Sequence, residues 1–175
     1  MITEDAFSRP VKVDALPRDG LNQTIEATPV ERAAIAKQNG LVEIASLKAT
    51  FELQRAGRGV RVLGSVHAEV TQTCVVSLEP FPATIQESID VRFFRPRAEK
   101  PGRRVEAEAL ALGVEDAPDL IIDGKIDLGA LAAEFMALGL DPYPRKPGTV
   151  FTPPTADEAP ESPFVALNQI RGKEG

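Results

Sequence analysis

The spacing of hydrophobic positions changes several times along this chain, and each change marks an element. Apolar and polar residues alternate briefly over residues 10–16, which predicts a short strand. Thr28-Pro29-Val30-Glu31 reads as a helix start, with Thr28 as cap, Pro29 in the first turn and Glu31 where a capping-box acid belongs. That helix runs over residues 31–38 and stops at Asn39-Gly40. Over residues 41–54 the period falls to two: Leu41, Ala45, Leu47, Ala49, Phe51 and Leu53 share one parity, and Lys48, Thr50, Glu52 and Gln54 the other. Ala56-Gly57-Arg58-Gly59 is a hairpin turn. The return strand carries Val60, Val62, Gly64, Val66, Ala68 and Val70 on one face and ends at Cys74. A third strand fits residues 83–94, with Ile85, Ile89, Val91 and Phe93 inward. Residues 78–82 separate the second strand from the third, and the prolines at 80 and 82 disfavour a fourth pairing there.

Residues 95–104 break into Pro, Gly and charge, as an exposed loop does. Residues 105–113 are a further strand candidate, and residues 119–123 a short strand or bridge ending in an Asp123-Gly124 turn. Asp127 precedes a helix in which Leu128, Leu131, Ala132, Phe135, Leu138 and Gly139 follow the i, i+3, i+4, i+7 rule, ending before Asp141-Pro142-Tyr143-Pro144. Residues 142–163 hold seven of the 15 prolines and are read as extended and weakly ordered. The pattern predicts an α+β fold: an antiparallel β-meander packed against one or two helices. It forms a single domain over residues 1–141, followed by a Pro-rich tail over 142–175.

Composition narrows the class. A hydrophobic fraction of 43% excludes a wholly disordered chain, and 5% aromatics with no Trp and one Tyr predict a core of Val, Leu, Ile, Ala and Phe. No apolar run reaches the roughly 18 residues of a spanning helix. The opening MITEDAFSRPVKV has acids where a secretory signal is basic, so a cytoplasmic location is expected, away from membranes. The single Cys74 excludes an internal disulfide and any multi-cysteine zinc site.

Catalytic constellations are missing. The one histidine, His67, falls on the outward parity of its strand, beside no nucleophile-elbow motif. One His and one Cys leave a zinc site without enough ligands. Gly57-Arg58-Gly59 lacks the Gly-Lys-Ser/Thr of a phosphate loop, and the acids between 106 and 127 lack calcium-loop spacing. No catalytic residue, metal, cofactor or small-molecule substrate is expected.

Charge placement says more than the net value of −6. Arg92, Arg95, Arg97, Lys100, Arg103 and Arg104 put six cations within thirteen residues, with Glu99 the only acid among them. Arginine forks favour phosphate, and Phe94, on the outward parity, is placed to stack on an unpaired base; together these are candidate RNA contacts. Residues 106–142 hold nine acids and one base. Glu106, Glu108, Glu115 and Asp116, with Phe164 and Leu167 of the tail, are alternative candidates for holding a basic protein.

Four stretches together resemble the YceD family. Residues 68–80, AEVTQTCVVSLEP, are similar to its central strand-and-turn motif, and residues 126–148, IDLGALAAEFMALGLDPYPRKPG, to its acidic-then-helix segment. Residues 162–170, SPFVALNQI, resemble its closing box, and residues 25–37, IEATPVERAAIAK, the variant of alphaproteobacterial members. Many members carry Cys-x-x-Cys-Leu-Glu-Pro in the central motif. Here Cys74 matches the first cysteine, Ser77 replaces the second, and Leu78-Glu79-Pro80 follow. With one thiol the motif is read as structural, Cys74 filling the sheet interior and Glu79-Pro80 shaping the exit turn. The resemblance implies a non-enzymatic role in accumulation of large-subunit (23S) ribosomal RNA. Its partner would be the precursor RNA, a basic large-subunit ribosomal protein, or both.

Overall fold

A computed structural model of the chain describes residues 6–95 and 119–152. The elements run β1 (Pro10–Lys12), a 3-10 turn (Val13–Ala15), β2 (Leu21–Glu26), α1 (Pro29–Gln38), β3 (Glu43–Ala56), β4 (Gly59–Thr73), β5 (Pro80–Phe94), β6 (Asp119–Leu120), β7 (Lys125–Asp127) and α2 (Leu128–Leu138). One sheet has the order β2-β3-β4-β5-β6, antiparallel except for the parallel contact of β6 with Phe93 and Phe94. A second, two-stranded ladder pairs β1 with β7. The architecture is the α+β meander that the hydrophobic pattern predicts.

Alternation decides which face of the meander is covered. Leu47, Ala49, Phe51 and Leu53 of β3, Val62, Val66, Ala68 and Val70 of β4, and Ile85 and Ile89 of β5 are buried on one side. Register aligns them in cross-strand rows such as Leu47–Ala68–Ile85 and Leu53–Val62–Val91. Helix α1 lies against β3, and α2 against β4 and β5. The opposite face carries Lys48, Thr50, Glu52, Ser65, His67, Gln86, Ser88 and Asp90. At the β3–β4 hairpin, Gly57 takes φ +57, which the first central position of a two-residue turn asks of glycine. A side chain at Gly59 would stand 2.0 Å from the Phe93 carbonyl oxygen, so the backbones meet there only because residue 59 is glycine.

Four details depart from the sequence pattern. The strand read over residues 10–16 is cut to three residues by the 3-10 turn. Strand β2 has only Ile25 fully buried and too little alternation to stand out; its register against β3 makes it a strand. Ala45 is exposed and Ile44 buried, because a bulge between Ile44 and Ser46 shifts the phase of β3. Pro80 and Pro82 sit inside the β4–β5 ladder, opposite Thr73 and Thr71. Among the described residues β5 has a second neighbour only at Phe93–Phe94, and on such an edge a missing N–H facing outward costs no ladder bond. The strand candidate at 105–113 lies outside the described residues.

Both helices are capped by groups that also grip the N-terminal segment. In α1, Thr28 Oγ1 accepts from the Glu31 N–H and Glu31 reaches back to the Thr28 N–H, the predicted capping box. Arg9 adds a two-pronged bond to the same carboxylate, at 2.7 and 3.1 Å, while its guanidinium lies 4.8 Å over the Phe7 ring. That pairing holds the Glu31 carboxyl down at about 2. In α2, Asp127 Oδ1 accepts from Gly129 and Ala130 at 2.9 and 3.2 Å and from the Arg9 N–H at 2.7 Å, and Oδ2 accepts from Ser8. Burial alone would push this carboxyl up; the bonds from Ser8, Arg9, Ala130 and Gly129 hold it below the usual range. Gly129 is needed for the approach, since a side chain there would lie 2.6 Å from the Phe7 carbonyl oxygen.

Asp127→Ala removes the acceptor of three N–H groups at once and is expected to cost about 2–4 kcal/mol by denaturant titration, with Asp127→Asn losing less. The Glu31 carboxyl binds its proton more weakly folded than unfolded. Its contribution is therefore whole above about 4.5 and fades as pH falls from 4.5 to about 2. Glu31→Gln should cost about 1 kcal/mol at neutral pH and flatten that acid limb, measured as unfolding midpoint against pH.

Candidate functional site

Strand β5 delivers the first part of the basic segment to one end of the sheet. Arg92 is exposed on the outer face, opposite Arg61 of β4 in register. Arg61 forks onto Asp90 at 2.9 and 2.6 Å, which raises the guanidinium pKa and lowers that of the carboxyl. Phe93 packs against the core, while Phe94 is half-buried and turned from it, as parity predicts. Arg95 bonds Asp14 at 2.5 Å and holds that carboxyl below its ordinary value. Of these three arginines, Arg92 alone lacks a bonded carboxylate among the described residues. Arg97, Lys100, Arg103, Arg104, Glu106, Glu108, Glu115, Asp116, Phe164 and Leu167 all lie outside the described residues. Arg61 was invisible to a linear reading, although the pairing of Thr73 with Pro80 carries the same register up to Arg61 and Arg92.

At the opposite end, the loop between β4 and β5 brings two of the motif stretches together. The Cys74 N–H donates to the Glu79 carbonyl and the Leu78 N–H to the Cys74 carbonyl, both at 2.9 Å, with Leu78 held at φ +59. Val76 and Ser77 N–H groups both point at Cys74 Sγ from 3.4 Å. The segment after α2 then closes over this loop. Gln72 donates to the Asp141 carbonyl, Val75 to the Pro144 carbonyl, and Lys146 Nζ to Glu79 at 2.8 Å. Lys146 lowers the Glu79 carboxyl and is itself raised.

Cys74 is fully covered but does not belong to the contiguous core cluster. It is buried as a structural cysteine would be, just past the end of β4, with its own loop folded around the sulphur. The Ser77 hydroxyl and N–H, with the Lys146 and Val76 N–H groups, favour the thiolate and bring the thiol down to about 6. Ser77 thus serves as a hydrogen-bond donor to the Cys74 sulphur.

His67 is exposed on the outer face between Lys48 and Gln86, without a hydrogen-bond partner among the described residues. Among those residues no group of three His, Cys, Asp or Glu is placed to hold a metal ion, and no helix is long and apolar enough to cross a membrane.

The thiolate absorbance of Cys74 is expected to titrate near 6 in the folded protein and to move up in Ser77→Ala. Its alkylation should stay slow because the sulphur is covered. Titration at the ordinary value near 9.0 would show that these N–H groups do not reach the sulphur.

The chain matches no curated protein and no solved structure. Residues 62–166 match the family model of the large ribosomal RNA subunit accumulation protein YceD. The match enters within β4 and takes in β5, the Cys74 loop, α2 and the segment that closes over the loop. It covers more than half of the 175 residues, and on it the chain belongs to the YceD family.

Proposed function

We propose that the protein is a non-enzymatic cytoplasmic factor that supports accumulation of large-subunit ribosomal RNA by contacting the precursor through the Arg92 end of the sheet. The observation that carries this reading is the hand-over at the end of β5. The strand aims Arg92 and Phe94 away from the core, beside Arg61, immediately before the run Arg97, Lys100, Arg103 and Arg104 in the sequence. Cations on a rigid strand end engage phosphates with little ordering cost, and a half-exposed ring beside them stacks on an unpaired base. The rest of the domain acts as scaffold. Its division into a body and a Pro-rich tail at residue 141 belongs to the same reading, with the tail's start docked on the Cys74 loop. Capture of a basic ribosomal protein by the acidic segment has less behind it, because Asp127 is committed to capping α2.

Replacing Arg92, Arg97, Arg103 and Arg104 with Ala should weaken binding of a precursor large-subunit RNA fragment at least tenfold at low salt. It should also flatten the slope of log affinity against log salt by about 0.7 for each single-strand phosphate that is no longer neutralised. Unchanged affinity and slope in this variant, measured by filter binding, would sink the reading.

A further inference from the structure

Tyr143 is the only tyrosine of a chain without tryptophan, yet the fold keeps it out of the core. It is 72% exposed, and Phe151 nearby in sequence is 69% exposed. Exposure of two rings costs apolar burial, and the backbone around Tyr143 is braced rather than loose. Pro142 and Pro144 restrict Tyr143 from both sides. The Tyr143 N–H donates to Asp141 Oδ1 at 2.8 Å, the Pro144 carbonyl accepts from Val75, and Lys146 is paired with Glu79. A turn through Gly148 at φ +81, closed by the Thr149 N–H on the Lys146 carbonyl, carries the chain on to Phe151. Between the rings in sequence stands Arg145, exposed and meeting no carboxylate among the described residues. Residues 142–152 contain two cations and no acid, in a chain of net charge −6.

We propose that this strap over the Cys74 loop is a stacking site for single-stranded RNA, with Tyr143 and Phe151 receiving bases and Arg145 a phosphate. An exposed ring on a pre-ordered backbone, with an uncompensated guanidinium two residues on and a second exposed ring further along, suits an unpaired strand: each base offers a π-face, and each linkage a negative charge. Exposed Val75 and Leu78 extend the apolar ground around it. The proposal deepens the RNA-contact reading while using the other end of the sheet. Twelve residues of β4 separate Thr73 from Arg61, a span of roughly 40 Å.

The site carries its own reporter, because tyrosine fluorescence from this chain comes from Tyr143 alone. The full chain is titrated with a short unstructured oligouridine, and binding is followed in parallel by anisotropy of the labelled RNA. Saturable quenching of Tyr143 is expected, with the same midpoint as the anisotropy change and absent with duplex RNA of equal length. Tyr143→Ala, Phe151→Ala and Arg145→Ala should each weaken the anisotropy signal roughly fivefold or more, and Tyr143→Phe should retain it. RNA binding with unchanged Tyr143 fluorescence would overturn the strap and leave the arginine end standing. No binding by either readout would overturn both. Quenching that follows protein concentration without RNA would mark the strap as a protein contact and overturn its assignment to RNA.

Discussion

A meander roughly 50 Å long with one apolar face must have that face covered, and the remaining elements answer to this constraint. The cover is thin. Helix α1 has ten residues and α2 eleven, lengths at which a helix in water is marginal on propensity alone. Each therefore depends on its cap. Both caps converge on the N-terminal segment, where Arg9 grips Glu31 by its side chain and Asp127 by its N–H. Phe7 is buried beneath the same grip. The small core residues on the strands, Ala49 and Ala68 among them, make room for this low roof.

The candidate contacts sit at the ends of the sheet. The outer face mixes hydroxyls, amides and both signs of charge, and its one forked ion pair, among the described residues, spends Arg61 on Asp90. Arg92 and Phe94 project at one end, and the Cys74 loop with its strap closes the other. The family match spans both ends but starts at Val62, inside β4. What precedes it, from the N-terminal segment through β3, supplies the sheet's other half and the grip on the helices.

Much of this was legible in the chain. Period-two alternation marks β3, β4 and β5, Thr28 and Glu31 announce the first cap, and the i, i+3, i+4 spacing after Asp127 announces α2. Illegible parts share one cause: they depend on a partner far away in sequence. Strand β2 alternates too weakly to be seen without β3, and Pro80 and Pro82 look like breakers until that end of β5 is seen to have β4 as its one neighbour among the described residues. The ionisation of Cys74 is set partly by the Lys146 N–H, and Arg95 is partly neutralised by Asp14. Periodicity reports which face a residue takes, not which distant group it meets there.

The grip of the N-terminal segment has a kinetic side. Arg9 and Asp127 are 118 residues apart, whereas the meander closes through the short turns at 57–58 and 74–79. Loop-closure entropy favours the hairpins first and the clasp last. On a chain made from its N-terminus, the residues from Phe7 to Lys12 precede β7 and α2, the elements they dock against. Phe7, 2% exposed in the folded protein, has its carbonyl oxygen close against Gly129 of α2, a residue 122 positions further on. The same segment brings Arg9 onto Glu31 and Asp127, the two acids that cap the helices, so one short stretch reinforces both caps at once.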